Sequence, residues 1–147
     1  MSNLLVQNIK HTNNTSAQTI DSSGRTTAVL NNDTTYRSDS GAVTQNLVQG
    51  LCKAWCRFGD GSSTDSFNIS SLTNHGTGDY EVFINNDMAN TQYTASLMFG
   101  EVGGGGIIRI GNRDIATGSV GVVGTNGAMT SAQDVNRCGI NVAGDLA

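Results

Sequence analysis

Alternating apolar and polar positions are clearest between Leu51 and Phe99. From Cys52 to Phe58, apolar residues recur at every second position, and Trp55 shares the opposite face with Lys53 and Arg57. This two-residue period predicts a half-buried strand. The same pattern predicts three more strands, over residues 66–71, 79–84 and 92–99. Between the strands lie segments rich in Gly, Asn, Asp and Ser, which favour turns, so antiparallel connections are expected.

The sequences GLCKAW.RF, DSFNISSLTNHGTGDYEVFI and MANTQYTASL, within residues 50–97, carry a family resemblance. The region resembles a module repeated in tail fibres and other virion-surface proteins of bacteriophages, especially tailed phages of marine bacteria. It departs from the module at Cys56, where a β-branched residue is usual, and in two turns that lack a usual basic residue and a usual proline. The opening LLVQNIKHTNNTSAQTIDSSG is similar to the start of such proteins, where a short segment attaches the fibre to the particle.

Residues 1–49 are rich in Asn, Thr and Ser, and their apolar positions are sparse. Such a segment cannot build a core alone, so it is either a disordered tail or an arm that orders by association. The resemblance favours an N-terminal anchoring and trimerising arm. Its predicted virion-anchoring residues are Leu4, Val6, Ile9 and Ile20.

Residues 50–147 contain about seven or eight short strands at the spacing typical of a β-sandwich. We predict a strand pair or a bent strand over residues 114–123, with Gly118 and Gly121 as bulges. The alternation over residues 138–142 predicts a closing strand. Asn126-Gly127 is a strong signal for a type I′ hairpin turn. We therefore expect an all-β chain: an antiparallel, jelly-roll-like β-sandwich head with an extended arm, forming a homotrimer.

The Gly-rich segments after Phe99 are the predicted receptor-facing loops. A glycine run followed by a strand superficially suggests a phosphate cradle, but no Lys-Ser or Lys-Thr pair follows it. Loops on a rigid sheet hold recognition groups readily. The residues assigned to this role are Gly103, Gly104, Gly105, Gly106, Asn126 and Gly127.

The charge and the hydrophobicity of the chain disfavour several classes of function. The chain has 147 residues and a net charge of −4, and its lysines and arginines form no cluster, which disfavours nucleic-acid binding. No stretch approaches the roughly 20 apolar residues needed to cross a bilayer, and no signal peptide opens the sequence. We expect synthesis in the host cytoplasm and no membrane insertion.

Candidate catalytic and metal-binding residues are few. Cys52 and Cys56 lie about 13 Å apart along a strand, too far for a disulfide, and three cysteines cannot supply a Cys₄ zinc site, so buried free thiols are expected. His75, in a predicted turn, could join Asp79 and a serine only by chance, because no nucleophile elbow is present. The DGSSTD segment lacks the glutamate of a calcium loop. We predict no enzyme activity, no metal and no cofactor.

Trp55 is the candidate contact residue. An indole beside Lys53 and Arg57 suits a sugar platform or an anchor between subunits, whereas a covering second sheet would make it a core residue.

Together these inferences predict a virion structural protein, a short tail fibre or spike subunit involved in host-surface adsorption. Its expected partners are other virion proteins, its own trimer mates and host surface polysaccharide. A capsid-surface decoration protein is the first alternative, and a free carbohydrate-binding module is the second. A depolymerase is disfavoured because no related pair of acidic residues is present.

Overall fold

The computed structural model describes residues 8–10, 16–30, 34–37, 44–59, 62–100 and 106–147. Within these ranges, regular structure is almost entirely β-strand, and the strand pairs are antiparallel. The all-β, antiparallel prediction is therefore confirmed. The chain divides into two compact units, Met1–Val48 and Gln49–Ala147.

The first unit contains only short strands in its described part. Three of them pair as β1-β2-β3: β1 (Asn8–Lys10), β2 (Ser16–Ile20) and β3 (Thr26–Ala28). A separate pair consists of β4 (Thr35–Arg37) and β5 (Thr44–Asn46), which a single helical turn follows, α1 (Leu47–Gly50). No side chain of this unit whose burial is described is buried, as expected for a segment with sparse apolar residues.

The second unit consists of two four-stranded sheets. Sheet I has the order β10-β13-β6-β7, formed by β10 (Thr94–Phe99), β13 (Cys138–Ala143), β6 (Cys52–Gly59) and β7 (Ser62–Phe67). Sheet II has the order β11-β12-β9-β8, formed by β11 (Gly106–Ile115), β12 (Ser119–Asn126), β9 (Asp79–Ile84) and β8 (Ile69–Gly76).

Both sheets contribute side chains to one core. The alternation predicted for β9 is confirmed, because Tyr80, Val82 and Ile84 are buried while the residues between them are partly exposed. In β6, Ala54, Cys56 and Phe58 are buried. Phe58 of sheet I meets Tyr80 of sheet II with ring centroids 5.7 Å apart, within the range that favours tilted aromatic pairs.

The strand predicted at residues 66–71 is in fact two strands in different sheets. The backbone turns at Asn68, which has φ of 56°, so Phe67 ends β7 in sheet I and Ile69 begins β8 in sheet II. Asparagine tolerates this left-handed conformation better than most residues. The predicted antiparallel connection over residues 85–90 is also wrong, because β9 and β10 belong to different sheets.

The predicted alternation fails at the start of β6. Cys52 is exposed, whereas Lys53 is buried with 5% of its surface accessible. The register with β13 is irregular at this point, between Val142 and Ala143, and such an irregularity reverses the faces of neighbouring residues. The Lys53 ammonium donates to the Leu51 carbonyl at 3.1 Å.

The remaining strand predictions hold in outline. The closing strand is present as β13. The β11–β12 hairpin replaces the predicted strand pair at 114–123, and its irregular register lies in β11, between Ile110 and Ile115, not at Gly121. Gly121 is buried opposite this irregularity, and an added Cβ there would lie 2.7 Å from the Gly111 carbonyl oxygen. Its role is therefore to allow close approach of the backbone.

Candidate functional site

The outer face of sheet I, which points away from the shared core, carries the candidate site. Antiparallel partners point to the same side of a sheet, so the register places side chains in two rows across four strands. The first row is Ser96, Asn141, Trp55 and Phe67, and the second row is Met98, Gly139, Arg57 and Asp65.

An open groove of about 600 Å³ runs between β6 and β10 over the central strand β13. Its size falls within the range of about 300–1,000 Å³ typical of small-molecule sites. Ten residues line it: Cys52, Trp55, Cys56, Arg57, Ser96, Leu97, Met98, Gly139, Ile140 and Asn141.

Gly139 lies at the floor of this groove, where it is buried beside the Met98 side chain. A Cβ at this position would lie 3.2 Å from Cε and 3.6 Å from Cβ of Met98. Any larger side chain would project into the space between Met98 and Arg57, its neighbours on the flanking strands. The absence of a side chain on the central strand therefore lets the Met98 side chain lie close to its backbone.

Trp55 is a surface residue, with 36% of its surface exposed. The alternative that a second sheet covers it is therefore wrong, because sheet II packs against the opposite face of sheet I. Phe67 and Met98 on the same outer face are 55% and 65% exposed. An outward row of large apolar side chains on a rigid sheet is typical of a contact surface.

Polar groups occupy fixed positions beside the indole. The Cys52 thiol donates to Oδ1 of Asn141 at 2.7 Å, which orients the amide in the groove. The Arg57 guanidinium makes no hydrogen bond or salt bridge with any residue that the structure describes. The groove thus combines an apolar surface with a cation that can accept an anionic partner.

The three cysteines are free thiols, as predicted, but only two are buried. Burial raises the pKa of the Cys56 and Cys138 thiols above the usual value. A raised pKa lowers the thiolate fraction near neutral pH and makes both thiols inert.

A second polar cluster lies on sheet II around Glu81. The imidazole Nε2 of His75 lies 3.1 Å from one carboxylate oxygen of Glu81, and the Ser119 hydroxyl donates to the other at 2.8 Å. His75 was predicted to lie in a turn, but it belongs to β8. Asp79, the acid considered as its partner, faces Arg113 at 3.6 Å instead.

This cluster does not have the geometry of a nucleophilic site. Glu81 lies between the hydroxyl and the imidazole, so His75 has no recorded hydrogen bond to Ser119 in the described structure. Activation of a serine requires a direct contact with its general base. The arrangement is that of a surface hydrogen-bond network.

Three of the predicted receptor-facing residues lie outside the described residues: Gly103, Gly104 and Gly105. Gly106 belongs to β11, where it pairs with Asn126 at the end of β12. The structure therefore brings these two predicted segments together. The chain reverses after Asn126 as predicted, but the type I′ turn is wrong, because the positive φ falls on Met129 and not on Asn126 or Gly127.

The Asn126 side chain explains this turn. Its Oδ1 accepts the Thr130 amide at 2.9 Å, and its backbone carbonyl accepts the Met129 amide at 2.8 Å. A side chain that binds nearby backbone groups can set a wider turn than the dipeptide pattern predicts.

Two of the four predicted anchoring residues lie within the described residues and two lie outside them. Leu4 and Val6 lie outside the described residues. Ile9 in β1 is 53% exposed, and Ile20 in β2 is partly buried. The two isoleucines lie on adjacent strands of one small sheet.

Sequence reasoning identified Trp55 but missed Met98, Gly139 and Asn141. The alternation of the closing strand does place Gly139 and Asn141 on its polar face. Their position beside Trp55 depends on the pairing of β13 with β6, for which the sequence offered no signal.

Comparisons with known protein families, with curated proteins and with solved structures found no significant match for this chain. Across the part of the chain that the structure describes, no three His, Cys, Asp or Glu side chains cluster as metal ligands would. None of the described helices has the length and apolar character required to span a bilayer.

Proposed function

We propose that this chain is a virion structural protein, a short fibre or spike subunit on the surface of a tailed bacteriophage. Residues 1–49 form its anchoring arm, and residues 50–147 form a jelly-roll-like β-sandwich head. The resemblance of residues 50–97 to a repeated virion-surface module supports the location. The observation that carries the role is the Trp55 groove, a contact surface built on rigid strands without catalytic geometry around it.

The first unit supports assembly into a homotrimer. Its described apolar side chains are largely exposed, with Val29 at 70%, Ile9 at 53% and Leu30 at 45%. Burying such groups against sister chains stabilises the assembly by roughly 25 cal/mol per Å² of apolar surface. A three-fold axis is a simple way to close these contacts in a fibre.

Native mass spectrometry tests the trimer directly. The full chain should show three copies, and the double replacement of Val29 and Leu30 by Ser should shift the population toward monomer. Replacement of Ser71 and Thr73, which lie in β8, by Asn provides a control in the second unit. A monomeric full chain at micromolar concentration would contradict the trimer.

Immunogold labelling of intact particles with antibody to this chain tests the location. Label on the tail supports a fibre or spike, and label on the shell supports the alternative of a capsid-surface decoration protein. Particles without label would refute both virion roles. A free carbohydrate-binding module would then be the better assignment, since the exposed indole and its polar neighbours also suit that class.

The proposed host-facing surface comprises Gly106 at the start of β11, the turn at Asn126 and Gly127, and the predicted loop at residues 103–105. Replacing Asn126 by Ala removes its side-chain hydrogen bonds to Thr130 and Ser131. The measurement is the adsorption of reconstituted particles to cells. Unchanged adsorption with an altered loop would remove these residues from the receptor surface.

A further inference from the structure

The groove on sheet I contains three kinds of group that together select a ligand class. Trp55 offers a flat apolar ring, Asn141 offers an oriented amide, and Arg57 offers a cation without a partner among the described residues. We propose that this groove binds a saccharide unit that carries a carboxylate, such as a hexuronic acid.

Each part of such a sugar matches one of these groups. The C–H bonds on one face of a pyranose ring can lie against the indole, whose π face is electron-rich. The carboxylate can accept two parallel hydrogen bonds from the Arg57 guanidinium, a geometry that Arg favours. Ring hydroxyls can bond to the Asn141 amide and to Ser96 at the other wall of the groove.

The charges around the groove favour an anion. Arg57 is the one ionised side chain among the groove-lining residues. The nearest acidic residue by register is Asp65, its cross-strand partner on β7, and no salt bridge joins the two. The chain's net charge of −4 acts weakly, because screening at physiological salt limits exposed charges to about 8 Å.

The same features make a second copy of the chain a poorer occupant. A stable protein interface buries about 800 Å² on each partner around a well-packed apolar centre. Here the Arg57 guanidinium, which has no charge partner among the described residues, lines the groove. Covering it with a protein surface that offers no anion would cost desolvation. A carboxylate-bearing sugar supplies that partner.

This inference deepens the proposed function by naming what the exposed face contacts, and it rests on that function only for its biological setting. It is measured on purified protein, so a failure to bind sugar leaves the immunogold result standing. Conversely, sugar binding without virion label would favour the free binding module.

The test compares methyl β-D-glucuronide with methyl β-D-glucoside, which differ only in the carboxylate. Because the chain has one tryptophan, its indole N–H gives a single NMR signal that reports directly on the groove. We expect the glucuronide to shift this signal with Kd on the order of 1 mM. The glucoside should bind about tenfold or more weakly, because a charge-assisted bidentate pair is lost.

Four variants locate the binding site. Trp55→Ala should abolish binding, as measured by the amide signals of Gly139 and Asn141. The matched control Tyr36→Ala, which removes an exposed aromatic side chain of the first unit, should retain it. Arg57→Gln should remove the preference for the glucuronide. Gly139→Val should fill the floor and block both sugars.

Two further measurements separate a loss of sugar binding from a loss of folding and test the role of charge. Asp65→Asn, which removes the nearest negative charge while leaving an oxygen for the Ser66 amide, should raise glucuronide affinity severalfold. Circular dichroism and melting curves identify any variant that fails to fold. Arg57→Gln should fold normally, because its side chain is exposed to solvent.

Three results would overturn the proposal. The first is no shift of the indole signal with glucuronide up to about 10 mM, well above the expected Kd. The second is an equal response to acetate, which would show a simple anion site. The third is a change in oligomeric mass for Trp55→Ala without any sugar effect, which would identify the face as a contact between copies.

Discussion

Asn68 joins the two sheets, and its replacement should reveal how much one side chain contributes to their connection. Its Nδ2 donates to the carbonyls of Lys53 at 3.0 Å and Asn86 at 3.3 Å. Its Oδ1 accepts the backbone amide of Asn86 at 2.9 Å and the Asn86 side chain at 2.8 Å. Its backbone has φ of 56°, which most residues avoid.

Three substitutions at Asn68 separate these contributions. Asn68→Gly keeps the backbone conformation but loses the amide bonds, which cost about 0.5–1.5 kcal/mol each when buried and less when exposed, so we expect a total of about 2–3 kcal/mol. Asn68→Ala adds left-handed strain and should be about 0.5–1 kcal/mol worse than Gly. Asn68→Asp keeps the acceptor but replaces the Nδ2 donor by a carboxylate oxygen, which would face the carbonyls of Lys53 and Asn86 and repel them. It should therefore cost at least as much as Gly, about 2–4 kcal/mol.

Urea unfolding followed by circular dichroism gives these free energies for the full chain. Each kcal/mol should also lower Tm by about 4–8 °C for a unit of this size. The control is Asn74→Ala, which removes one exposed local bond, to the Gly76 amide, and should cost less than about 1 kcal/mol. A smaller loss for Ala than for Gly, a smaller loss for Asp than for Gly, or losses below about 0.5 kcal/mol for all three would refute the reasoning.

Three further predictions concern buried groups. Tyr80→Phe removes a buried hydroxyl that donates to a carboxylate and accepts a backbone amide, and should lower the free energy of unfolding by about 1–3 kcal/mol; a loss under about 0.5 kcal/mol would contradict this. Burial raises the pKa of Tyr93 from 10.0 to about 12. The folded state therefore holds the phenol proton more tightly than the unfolded state, and the free energy of unfolding should fall as pH rises from about 10 to about 12. Tyr93→Phe should flatten that part of the stability profile, and an unchanged slope would count against it. A thiol reagent at pH 8 should label Cys52 in the native protein but Cys56 and Cys138 only after unfolding; equal rates for all three would contradict the described burial.

The candidate site was predictable in part. The two-residue period placed Trp55 and Arg57 on one face of β6 but left open whether a second sheet covers that face. The structure shows that both side chains point outward. The groove itself was not predictable, because its floor and far wall belong to Gly139 and Met98 on strands that are distant in sequence. A single tryptophan on a polar face was therefore a sound signal for a site but not for its shape.

The sequence also failed where backbone conformation departed from a regular strand. Nothing in the alternation around Asn68 indicated a change of sheet, since Phe67 and Ile69 keep the apolar period on both sides of it. The burial of Lys53 likewise followed from an irregular register with β13. Both features depend on partner strands, which local patterns do not specify.

By itself, the sequence determined the β class, most strand positions and the core residues of β9 and of β6 from Ala54 onward. These follow from local properties, because a two-residue apolar period can bury one face only as a strand. The tertiary structure alone decided which strands are neighbours. Cys52 and Asn141 are 89 residues apart yet share a hydrogen bond, because any two strands with suitable faces can pair and only the packing of the whole core selects among the pairings.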